Sequence, residues 1–507
     1  MIRGICCYYA PIHFPLKVFY TLLTSNSNNI EASTLSASTN NGKAPLAFSA
    51  LNLHKDLVKN LSTLGYQEMT PIQAMSLPEM LLGKDVIAQA KTGSGKTAAF
   101  GLALLEKLQV KRFRIQSMIL CPTRELADQV ATEIRKLARA VHNIKVLTLC
   151  GGTPFGPQIG SLEHGAHIIV GTPGRIEEHV IKGTLKLDDL NLLVLDEADR
   201  MLEMGFEAAL DNIIERTPLD RQTLLFSATF PKQIQEISES IMTDPVMVKV
   251  SASEDKLNIS QQFFHVENDI ERFEALRLLL LANPVESTVI FCNTKKETQA
   301  VCNNLHDDGF SVLALHGDLE QRERNQTLLR FSNKSASILV ATDVAARGLD
   351  IDSLDLVVNY HIAHDSEVHI HRIGRTGRAG AQGKAVSLFS DKESYKVGLI
   401  EDTLEQVIKP ELLPSSDVLN NARPQAKMST IQIDGGKKQK VRPGDILGAL
   451  TSKNTGAEIT GKDVGKINVL DIKAYVAVNK KILKIALRKL STGKMKGRTY
   501  KVRHLTV

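Results

Sequence analysis

The sequence predicts an α/β protein that contains two parallel-sheet domains in tandem and a small α+β domain at its C-terminal end. Three observations lead to this fold class. Short apolar runs alternate with amphipathic stretches from about residue 45 to 250, the alternation begins again after about residue 256, and the charge changes abruptly after residue 427. Alternating strand and helix patterns are typical of parallel sheets covered by their connecting helices.

Residues 1–44 differ from the rest of the chain. Arg3 and Lys17 are the only Lys or Arg residues before the first acidic residue, Glu31, and a stretch rich in Ser, Asn and Thr follows the apolar beginning. Pro11 and Pro15 interrupt the apolar stretch that a secretory signal needs. We predict that residues 1–44 are a disordered or mis-assigned N-terminal extension.

Two series of apolar runs define the predicted sheets. In residues 45–250 the strand-like stretches are DVIAQ, SMILC, HIIVG, LLVLD and TLLFSAT. In residues 256–404 they are TVIFCN, SVLALH, SILVATD, LDLVVNY and AVSLFS. Residues 405–427 hold three prolines among polar residues and are predicted to be a linker.

Composition limits the classes of function. The chain of 507 residues has no apolar run near the ~20 residues that a membrane span requires, so we expect no membrane contact. Cysteines occur without C-x-x-C spacing, which favours a reducing compartment over a zinc site or a disulfide framework. They are Cys6, Cys7, Cys121, Cys150, Cys292 and Cys302.

A glycine-rich stretch, AKTGSGKT at 90–97, follows the first strand-like run and opens a helix. Its backbone N–H groups would point at phosphates, helped by the positive end of the helix. Lys96 would reach the β and γ phosphates, and Thr97 would bind Mg²⁺. Ala90 stands where the general pattern has its first glycine. Taken alone, the stretch is also compatible with an ordinary tight turn.

An acidic tetrapeptide, DEAD at 196–199, follows the strand-like LLVL. A carboxylate at a strand end can hold Mg²⁺ through water while its neighbour polarises an attacking water. We assign these roles to Asp196 and Glu197. In isolation the tetrapeptide indicates a helix cap, but with the glycine-rich stretch upstream it favours a nucleoside triphosphate site.

Further motifs follow in a fixed order. They are Phe48, GYQEMTPIQ ending at Gln73, PTRELA at 122–127, Gly151-Gly152, TPGR at 172–175, SAT at 227–229, VIFCNT at 289–294, HGD at 316–318, QRER at 321–324, ATDVAARGLDI at 341–351 and HRIGRTGR at 371–378. With AKTGSGKT and DEAD, this order resembles the DEAD-box RNA helicases over roughly residues 46–400. Met69 departs from the proline common at its position. The resemblance implies two RecA-like domains, 45–250 and 256–404, that bind ATP between them.

The resemblance also implies individual roles at the nucleotide. Arg375 and Arg378 would reach the γ phosphate from the second domain as catalytic groups beside Lys96, Asp196 and Glu197. Gln73 would read the adenine edge and Asp350 would bind the ribose. The implied nucleotide-binding set is Phe48, Tyr66, Gln73, Ala90, Thr92, Gly93, Ser94, Gly95, Lys96, Thr97 and Asp350, with Thr97 and Asp196 at Mg²⁺. A polar relay that couples hydrolysis to domain closure would consist of Asp199, Ser227, Thr229 and His371.

The implied RNA surface spans both domains. It consists of Thr123, Arg124, Gly152, Thr172 and Arg175 on the first domain and Gln321, Arg324, Thr342 and Asp343 on the second. Such groups suit phosphate and 2′-OH contacts rather than base edges, so little sequence preference is expected. Threonines such as Thr172 and Thr342 are equally compatible with turns or helix caps.

The basic charge of the protein belongs to its last part. The net charge is +6, but residues 428–507 hold eighteen Lys or Arg and five Asp or Glu. Their pattern predicts the order strand, helix, strand, strand, helix, strand of an RRM-like domain. In the second helix Ile482, Ile485, Ala486 and Leu490 would form the buried face, with Lys481, Lys484, Arg488 and Lys489 elsewhere.

This last domain, with its VRPGDILGAL and GKMKGR pieces, resembles the RNA-binding domain of the DbpA subfamily of DEAD-box proteins. The resemblance implies recognition of a structured large-subunit ribosomal RNA element on a pre-ribosomal particle. We also expect a monomer located in the cytoplasm. The RNA contacts predicted here are Lys437, Lys438, Lys440, Arg442, Lys494, Lys496 and Arg498. Only Tyr475 and Tyr500 are available for base stacking, so charge and shape are expected to dominate.

Three alternatives remain open on the sequence. The basic domain could be a nonspecific tail of a general RNA chaperone or clamp, since charge alone identifies no particular ligand. A non-enzymatic RNA scaffold is disfavoured by the intact set of Lys96, Asp196, Glu197 and the two arginines. A DNA helicase is disfavoured because the family depends on 2′-OH contacts.

Overall fold

The computed structural model of the protein describes residues 47–90, 93–250, 259–346, 354–377, 382–452 and 459–506. The predicted N-terminal extension, 1–44, lies outside these residues. None of the described helices is long and apolar enough to cross a bilayer. Three sheets organise the described part of the chain.

The first sheet is parallel and has the strand order β3-β4-β2-β5-β6-β1-β7. Its strands are β1 Val86–Gln89, β2 Ser117–Leu120, β3 Val146–Leu149, β4 Ile168–Gly171, β5 Leu192–Asp196, β6 Gln222–Ser227 and β7 Val246–Lys249. Its helices are α1 Lys55–Thr63, α2 Pro71–Leu81, α3 Lys96–Lys107, α4 Arg124–Leu137, α5 Phe155–Glu163, α6 Pro173–Ile181, α7 Ala198–Glu203, α8 Glu207–Ile214 and α9 Lys232–Ile241. We call residues 47–250 the first lobe.

Apolar side chains cover both faces of this sheet. On β2, Ile119 belongs to one core cluster, whereas Met118 and Leu120 belong to the cluster on the opposite face. All three are fully buried. Because successive side chains of a strand point to opposite faces, a strand between two helix layers has to be apolar at every position. This requirement explains the continuous apolar runs in the sequence.

The second sheet is also parallel, with the order β10-β11-β9-β12-β13-β8. Its strands are β8 Ile259–His265, β9 Thr288–Cys292, β10 Val312–Leu315, β11 Ile338–Thr342, β12 Leu356–Asn359 and β13 Gly383–Phe389. Its helices are α10 Asp269–Ala282, α11 Lys295–Asp307, α12 Gln321–Ser332, α13 Asp343–Ala346, α14 Ser366–Ile373 and α15 Ser394–Leu404. We call the described residues from 259 to 404 the second lobe.

The sequence analysis did not find three of the strands, and all three lie at sheet edges. They are β3, β7 and β8, each at one end of its strand order. Exposed or half-buried residues interrupt their apolar pattern, as in VMVK and ISQQFFH. An edge strand is covered less completely, so it does not need an unbroken apolar run.

The third sheet is antiparallel and has the order β15-β16-β14-β17. Its strands are β14 Met428–Ile433, β15 Val464–Val469, β16 Ala474–Asn479 and β17 Val502–Leu505, with helices α16 Pro443–Thr451 and α17 Leu483–Thr492. The element order is the one predicted, and we call this part the tail domain. Two parallel-sheet domains followed by a small α+β domain confirm the predicted fold class.

One lysine of α17 does not lie where the periodicity placed it. Lys489 was expected away from the buried face, but its side chain is only 2% exposed. Its Nζ donates to the carbonyls of Leu450 and Ser452, at 3.1 and 3.0 Å. These carbonyls lie at the C-terminal end of α16, where helices leave acceptors without internal partners and favour positive charge.

The tail domain contacts the second lobe through one face of its sheet. Thr430 of β14 is fully buried, and its Oγ1 lies 2.6 Å from Ser335 Oγ and 3.3 Å from Asn333 Nδ2. At the edge of this contact, Glu286 binds both Lys334 and Lys427. The predicted linker also contacts the second lobe, since Leu413, Val418 and Leu419 pack on its core.

Candidate functional site

The strand order of the first lobe divides its predicted site residues into two groups. Neighbouring strands β5, β6 and β1 end at the DEAD, SAT and glycine-rich stretches. Neighbouring strands β3, β4 and β2 end at Gly151-Gly152, TPGR and PTRELA. In parallel sheets, ligands bind beyond the carboxyl ends of the strands. One half of this edge therefore carries the predicted nucleotide residues, and the other half carries the predicted RNA residues.

The glycine-rich stretch forms a tight connection into α3. Gly95 adopts φ of +93° and Lys96 begins the helix. Lys96 is buried, and its Nζ donates to the Ala90 carbonyl at 2.9 Å. Positive φ at a residue that precedes a helix is the conformation for which glycine is suited. Gly93, Ser94 and Thr97 are described beside them, whereas Thr92 lies outside the described residues.

Gln73, predicted to read adenine, is attached to this loop. Its Nε2 donates to the Gly95 carbonyl at 3.0 Å, and its Oε1 accepts from the Thr70 N–H at 2.9 Å. Thr70 Oγ1 in turn donates to the Ser94 carbonyl at 2.8 Å. The start of α2 and the glycine-rich loop therefore form one hydrogen-bonded unit. Thr70 is a residue of this unit that the sequence analysis did not assign.

The two aromatic candidates, Phe48 and Tyr66, contact each other. Phe48 is buried, and its ring meets that of Tyr66 edge-to-face, with centroids 6.1 Å apart. Tyr66 Oη donates to Glu133 at 2.9 Å. Burial and the neighbouring carboxylate both raise the pKa of Tyr66. The phenol therefore stays neutral and donates to Glu133.

Asp196 ends β5 as a buried carboxylate. Burial raises its pKa to about 6, and the positive charge of Lys96 opposes that rise. Its Oδ1 is buried and has no hydrogen-bond partner among the described residues. A buried carboxylate oxygen without a donor is costly unless a cation satisfies it. This donor oxygen and the half-buried Thr97 hydroxyl at the start of α3 suit a hard cation such as Mg²⁺.

Glu197 occupies a turn that few residues adopt. Its φ of +54° places it in the left-handed region, immediately before α7. A non-glycine residue in this region costs about 1 kcal/mol or more. Such strain is found where the surrounding structure has to fix the direction of a side chain. Here the left-handed residue turns the chain directly after Asp196.

Asp199 joins the DEAD stretch to the SAT stretch. Its Oδ2 accepts from the N–H groups of Ala228 and Thr229, at 3.2 and 2.9 Å, and from Thr229 Oγ1 at 3.0 Å. Its own N–H donates to Ser227 Oγ at 3.3 Å. The structure thus brings three members of the predicted relay into direct contact.

A cleft between the lobes contains the fourth member. Its lining includes Glu197, Asp199 and Thr229 from the first lobe and His371 and Arg375 from the second. The acidic Glu367 also lines this cleft, and burial and the nearby Asp365 raise its pKa. Arg378 and Asp350 lie outside the described residues. Of the two predicted arginines, Arg375 therefore faces the DEAD and SAT residues.

Asp343 has a partner that the sequence analysis did not consider. Arg372 is almost fully buried and donates to both Asp343 oxygens, from Nε at 2.6 Å and from Nη2 at 2.7 Å. Its Nη1 also donates to the His361 carbonyl at 2.8 Å. Asp343, predicted to contact RNA, is thus paired with Arg372 within the second lobe and remains 18% exposed. The position of Arg372 inside HRIGRTGR was the sequence signal that could have identified it as a functional residue.

The RNA candidates of the first lobe come together at the ends of β2, β3 and β4. Gly152 has φ of +69°, and a Cβ there would collide with the guanidinium of Arg124. Arg175 Nη1 donates to the Thr153 carbonyl at 3.0 Å. Thr123 caps α4 by accepting the Leu126 N–H at 3.3 Å, and Thr172 precedes α6 without such a bond.

The RNA candidates Gln321 and Arg324 of the second lobe contact the first lobe. Gln321 Nε2 donates to Glu125 Oε1 at 3.3 Å, and Arg324 Nη2 lies 3.4 Å from the same oxygen. Glu125 belongs to PTRELA and was not assigned from the sequence. It connects two of the predicted RNA segments across the lobes.

The basic candidates of the tail domain are all exposed. They are Lys437, Lys438, Lys440, Arg442, Lys494, Lys496 and Arg498. Lys496 Nζ lies 3.4 Å from Asp445 in the first turn of α16, so the two basic loops lie side by side. Tyr475 is buried, and Tyr500 packs against Gly435. Neither ring is freely presented for base stacking.

Comparison with known proteins covers all three parts of the chain. The family model of the DEAD/DEAH box helicases matches residues 70–237, that of the helicase conserved C-terminal domain matches 271–380, and that of the DbpA RNA binding domain matches 430–504. The chain is 53% identical over 460 residues to the ATP-dependent RNA helicase DbpA of Escherichia coli (strain K12), covering 90% of this chain and 99% of that protein. It is 41% identical over 372 residues to the DEAD-box ATP-dependent RNA helicase CshA of Bacillus subtilis (strain 168), covering 73% and 75%.

Solved structures are similar over the two lobes. S. cerevisiae Dbp5 bound to RNA and ADP BeF3 matches with a TM-score of 0.65 and 30% identity, covering 72% of this chain and 95% of that chain. Mss116p bound to ssRNA and AMP-PNP matches with a TM-score of 0.67 and 28% identity, covering 75% and 82%. Both of these structures are complexes with RNA and a nucleotide or nucleotide analogue.

Proposed function

Because the chain belongs to the DEAD-box ATP-dependent RNA helicases and is of the DbpA type, we propose that it is an RNA-stimulated ATPase that unwinds or remodels RNA locally. We further propose that its tail domain directs this activity to a structured element of large-subunit ribosomal RNA during ribosome assembly. The ATP-dependent helicase class follows from the relatives. The target follows from the resemblance of the tail domain alone.

The observation that carries the catalytic proposal is the cleft shared by the two lobes. Glu197 and Asp199 line it from one side, and His371 and Arg375 line it from the other. Neither lobe alone contains both the carboxylates and the arginine. A triphosphate bound to Lys96 and approached by Arg375 would therefore favour the arrangement in which the lobes meet. Arg375 would stabilise the charge that develops on the γ phosphate.

The first lobe would orient the attacking water and transmit the result. Glu197, aimed by its left-handed turn, is our candidate for polarising that water. Asp199 would carry a change at the DEAD stretch to Thr229 through their hydrogen bonds. Asp196 and Thr97 would hold Mg²⁺, which supplies positive charge against the β and γ phosphates when bound. The proposed site also includes Asp350 and Arg378, which we assign from the sequence resemblance alone.

Turnover measurements in the presence of RNA test the enzymatic proposal. We expect Lys96→Ala and Glu197→Gln each to lower ATP turnover at saturating RNA by at least about a hundredfold. RNA binding by the tail domain should be unchanged, because both positions lie in the first lobe. RNA binding without ATP turnover by the wild-type protein would identify a scaffold. Equal stimulation by DNA of the same sequence would identify a nucleic-acid helicase of broader specificity.

Two observations support the proposed targeting. Seven exposed basic residues occupy two adjacent loops, and they suit the phosphate backbone of a folded RNA. The tail domain is docked on the second lobe through Thr430, so RNA bound to the tail would be held at a defined place relative to the lobes. We propose that the protein acts as a cytoplasmic monomer on a pre-ribosomal particle.

One observation favours a second candidate function. Tyr475 is buried, so base readout by stacking on the sheet is not available to the tail domain. A general RNA chaperone or clamp with a nonspecific basic tail would need no such readout. ATPase activity titrated with ribosomal RNA and with an unrelated RNA of equal length separates the two. A lower half-saturating concentration for ribosomal RNA is expected, and equal stimulation by both would favour the clamp.

A further inference from the structure

We propose that Gln158 is a positioning residue for RNA, which joins the Gly151-Gly152 turn to the helix that carries Arg175 so that the two segments act as one rigid surface. This inference rests on the proposed function, because it assumes that RNA binds at these two segments. Gln158 lies on α5, in neither segment, and no motif of the sequence includes it.

The side chain of Gln158 is buried and forms four hydrogen bonds. Its Nε2 donates to the Cys150 carbonyl at 3.0 Å and to Thr153 Oγ1 at 2.6 Å. Its Oε1 lies 2.9 Å from Arg175 Nη1 and 2.9 Å from His179 Nε2. A carbonyl only accepts and a guanidinium only donates, so these partners fix the orientation of the amide. One end of the amide therefore holds the turn, and the other end holds α6.

Two hydrogen-bond partners of Gln158 flank the Gly151-Gly152 turn. Cys150 is the residue immediately before Gly151-Gly152, and Thr153 is the residue immediately after. Arg175 contacts this turn a second time, by donating from Nη1 to the Thr153 carbonyl at 3.0 Å. The guanidinium is also held by Glu178, which lies 3.1 Å from Nε. Arg175 is thus fixed from three sides before any RNA arrives.

His179 is the fourth hydrogen-bond partner of the Gln158 amide. It is fully buried, and its Nδ1 lies 2.8 Å from Thr184 Oγ1. Burial and the nearby Arg175 lower its pKa, so the imidazole is neutral. Because the amide oxygen of Gln158 can only accept, His179 Nε2 donates its proton to Gln158 Oε1. Phe155 stacks on the ring with centroids 4.1 Å apart and covers it.

The geometry explains why a bulky polar residue is buried at this point. An amide offers two donors and one strong acceptor. Here the donors bind the Gly151-Gly152 turn and the acceptor binds two residues of α6. An apolar side chain of the same size would leave the Cys150 carbonyl without this donor and Arg175 without one of its acceptors. Arg175 would then be held only by the Thr153 carbonyl and Glu178, so more of its ordering would have to occur when RNA binds, and that cost would weaken binding.

The test measures ATPase activity as a function of RNA concentration for Gln158→Met, which keeps the length of the side chain and removes its polar atoms. We expect the half-saturating RNA concentration to rise about tenfold, the change expected from one charge-assisted hydrogen bond to phosphate. Turnover at saturating RNA should stay within about twofold, because the nucleotide residues lie at the other half of the sheet edge. The matched control is Gln235→Met, the same change at an exposed position of α9, which should alter neither quantity.

A double-mutant cycle separates positioning from simple loss of stability. If Gln158 acts through Arg175, Gln158→Met in the Arg175→Ala background should raise the half-saturating concentration by less than about twofold. An equal rise in both backgrounds would overturn the proposal. Should Gln158→Met fail to fold, Thr153→Ala removes one acceptor of the amide at an exposed position. Its expected effect is a rise of about threefold that is likewise lost with Arg175→Ala.

The outcomes distinguish this inference from the proposed function. If RNA does not stimulate ATP turnover by the wild-type protein, the proposed function is wrong and the inference falls with it. If RNA stimulates the wild-type protein and Gln158→Met has the same half-saturating concentration, only the inference is wrong.

Discussion

Replacing Thr430 by valine tests how the tail domain is held against the second lobe. Thr430 is fully buried, and its hydroxyl is shared with Ser335 at 2.6 Å and Asn333 at 3.3 Å. Valine has nearly the same volume, so no cavity forms. The substitution removes only the polar partner of two residues that are themselves 3% exposed.

The expected magnitude follows from these two partners. Each buried polar group left without a hydrogen bond costs about 1–3 kcal/mol, and Asn333 Oδ1 already has no partner among the described residues. We therefore expect Thr430→Val to weaken docking by about 2 kcal/mol, which is about a thirtyfold change in the docking equilibrium. The tail domain itself should be unaffected, because the hydroxyl makes these contacts outside its own core.

Energy transfer between two dyes measures this equilibrium in the full-length chain. One dye is placed at Asp307→Cys on the second lobe and the other at Lys494→Cys on the tail domain. Urea is then added, and the concentration at which transfer is lost should be lower for Thr430→Val. The control is Thr451→Val, because Thr451 Oγ1 is exposed and donates only to the Leu447 carbonyl of its own helix. Identical transition midpoints for the two variants would refute the reasoning.

Four further outcomes are expected. Because burial raises the pKa of Asp196 to about 6, the folded protein binds its proton more tightly than the unfolded chain, and stability is lost as pH rises from about 4 through 6. Asp196→Asn should therefore stabilise the nucleotide-free protein by about 3 kcal/mol at pH 8 in urea unfolding while abolishing ATP turnover. Arg372→Lys removes the bidentate ion pair with Asp343 and should lower the free energy of unfolding at pH 7 by about 3 kcal/mol, measured by urea unfolding. Glu125→Gln weakens the contact between the lobes and should raise the half-saturating RNA concentration about threefold in the ATPase assay. Lys494→Gln should reduce the slope of log RNA affinity against log salt by about 0.7–0.9, and an unchanged slope would exclude a phosphate contact.

The sequence predicted central strands better than edge strands. A strand such as β2 is covered on both faces, so it is apolar throughout and visible in one run. Strands β7 and β8 are half-exposed, and their mixed composition is compatible with a loop. The helical periodicity of the tail domain found the buried positions Ala486 and Leu490. It misplaced Lys489, because the carbonyls that bind this lysine belong to a different helix.

Within the candidate site, the sequence identified residue types and their order but not which atoms meet. The DEAD and SAT stretches are about 30 residues apart, yet Asp199 accepts three hydrogen bonds from the latter. Glu125 and Arg372 were not assigned, although both belong to stretches that were recognised. Gln158 belongs to no recognised stretch, and a buried glutamine has no periodicity that would indicate its partners.

The sequence by itself predicted the chemistry, since glycines, lysine, carboxylates and arginines in a fixed order indicate a triphosphate site divided between two sheets. It also determined that the positive charge belongs to the last domain. Only the tertiary structure decided the pairing: Arg372 with Asp343, Gln158 with Arg175, and Thr430 with Ser335. Hydrogen bonds require atoms within about 3 Å and aligned donors. Such alignment depends on how strands and helices pack, which no local pattern of residues specifies.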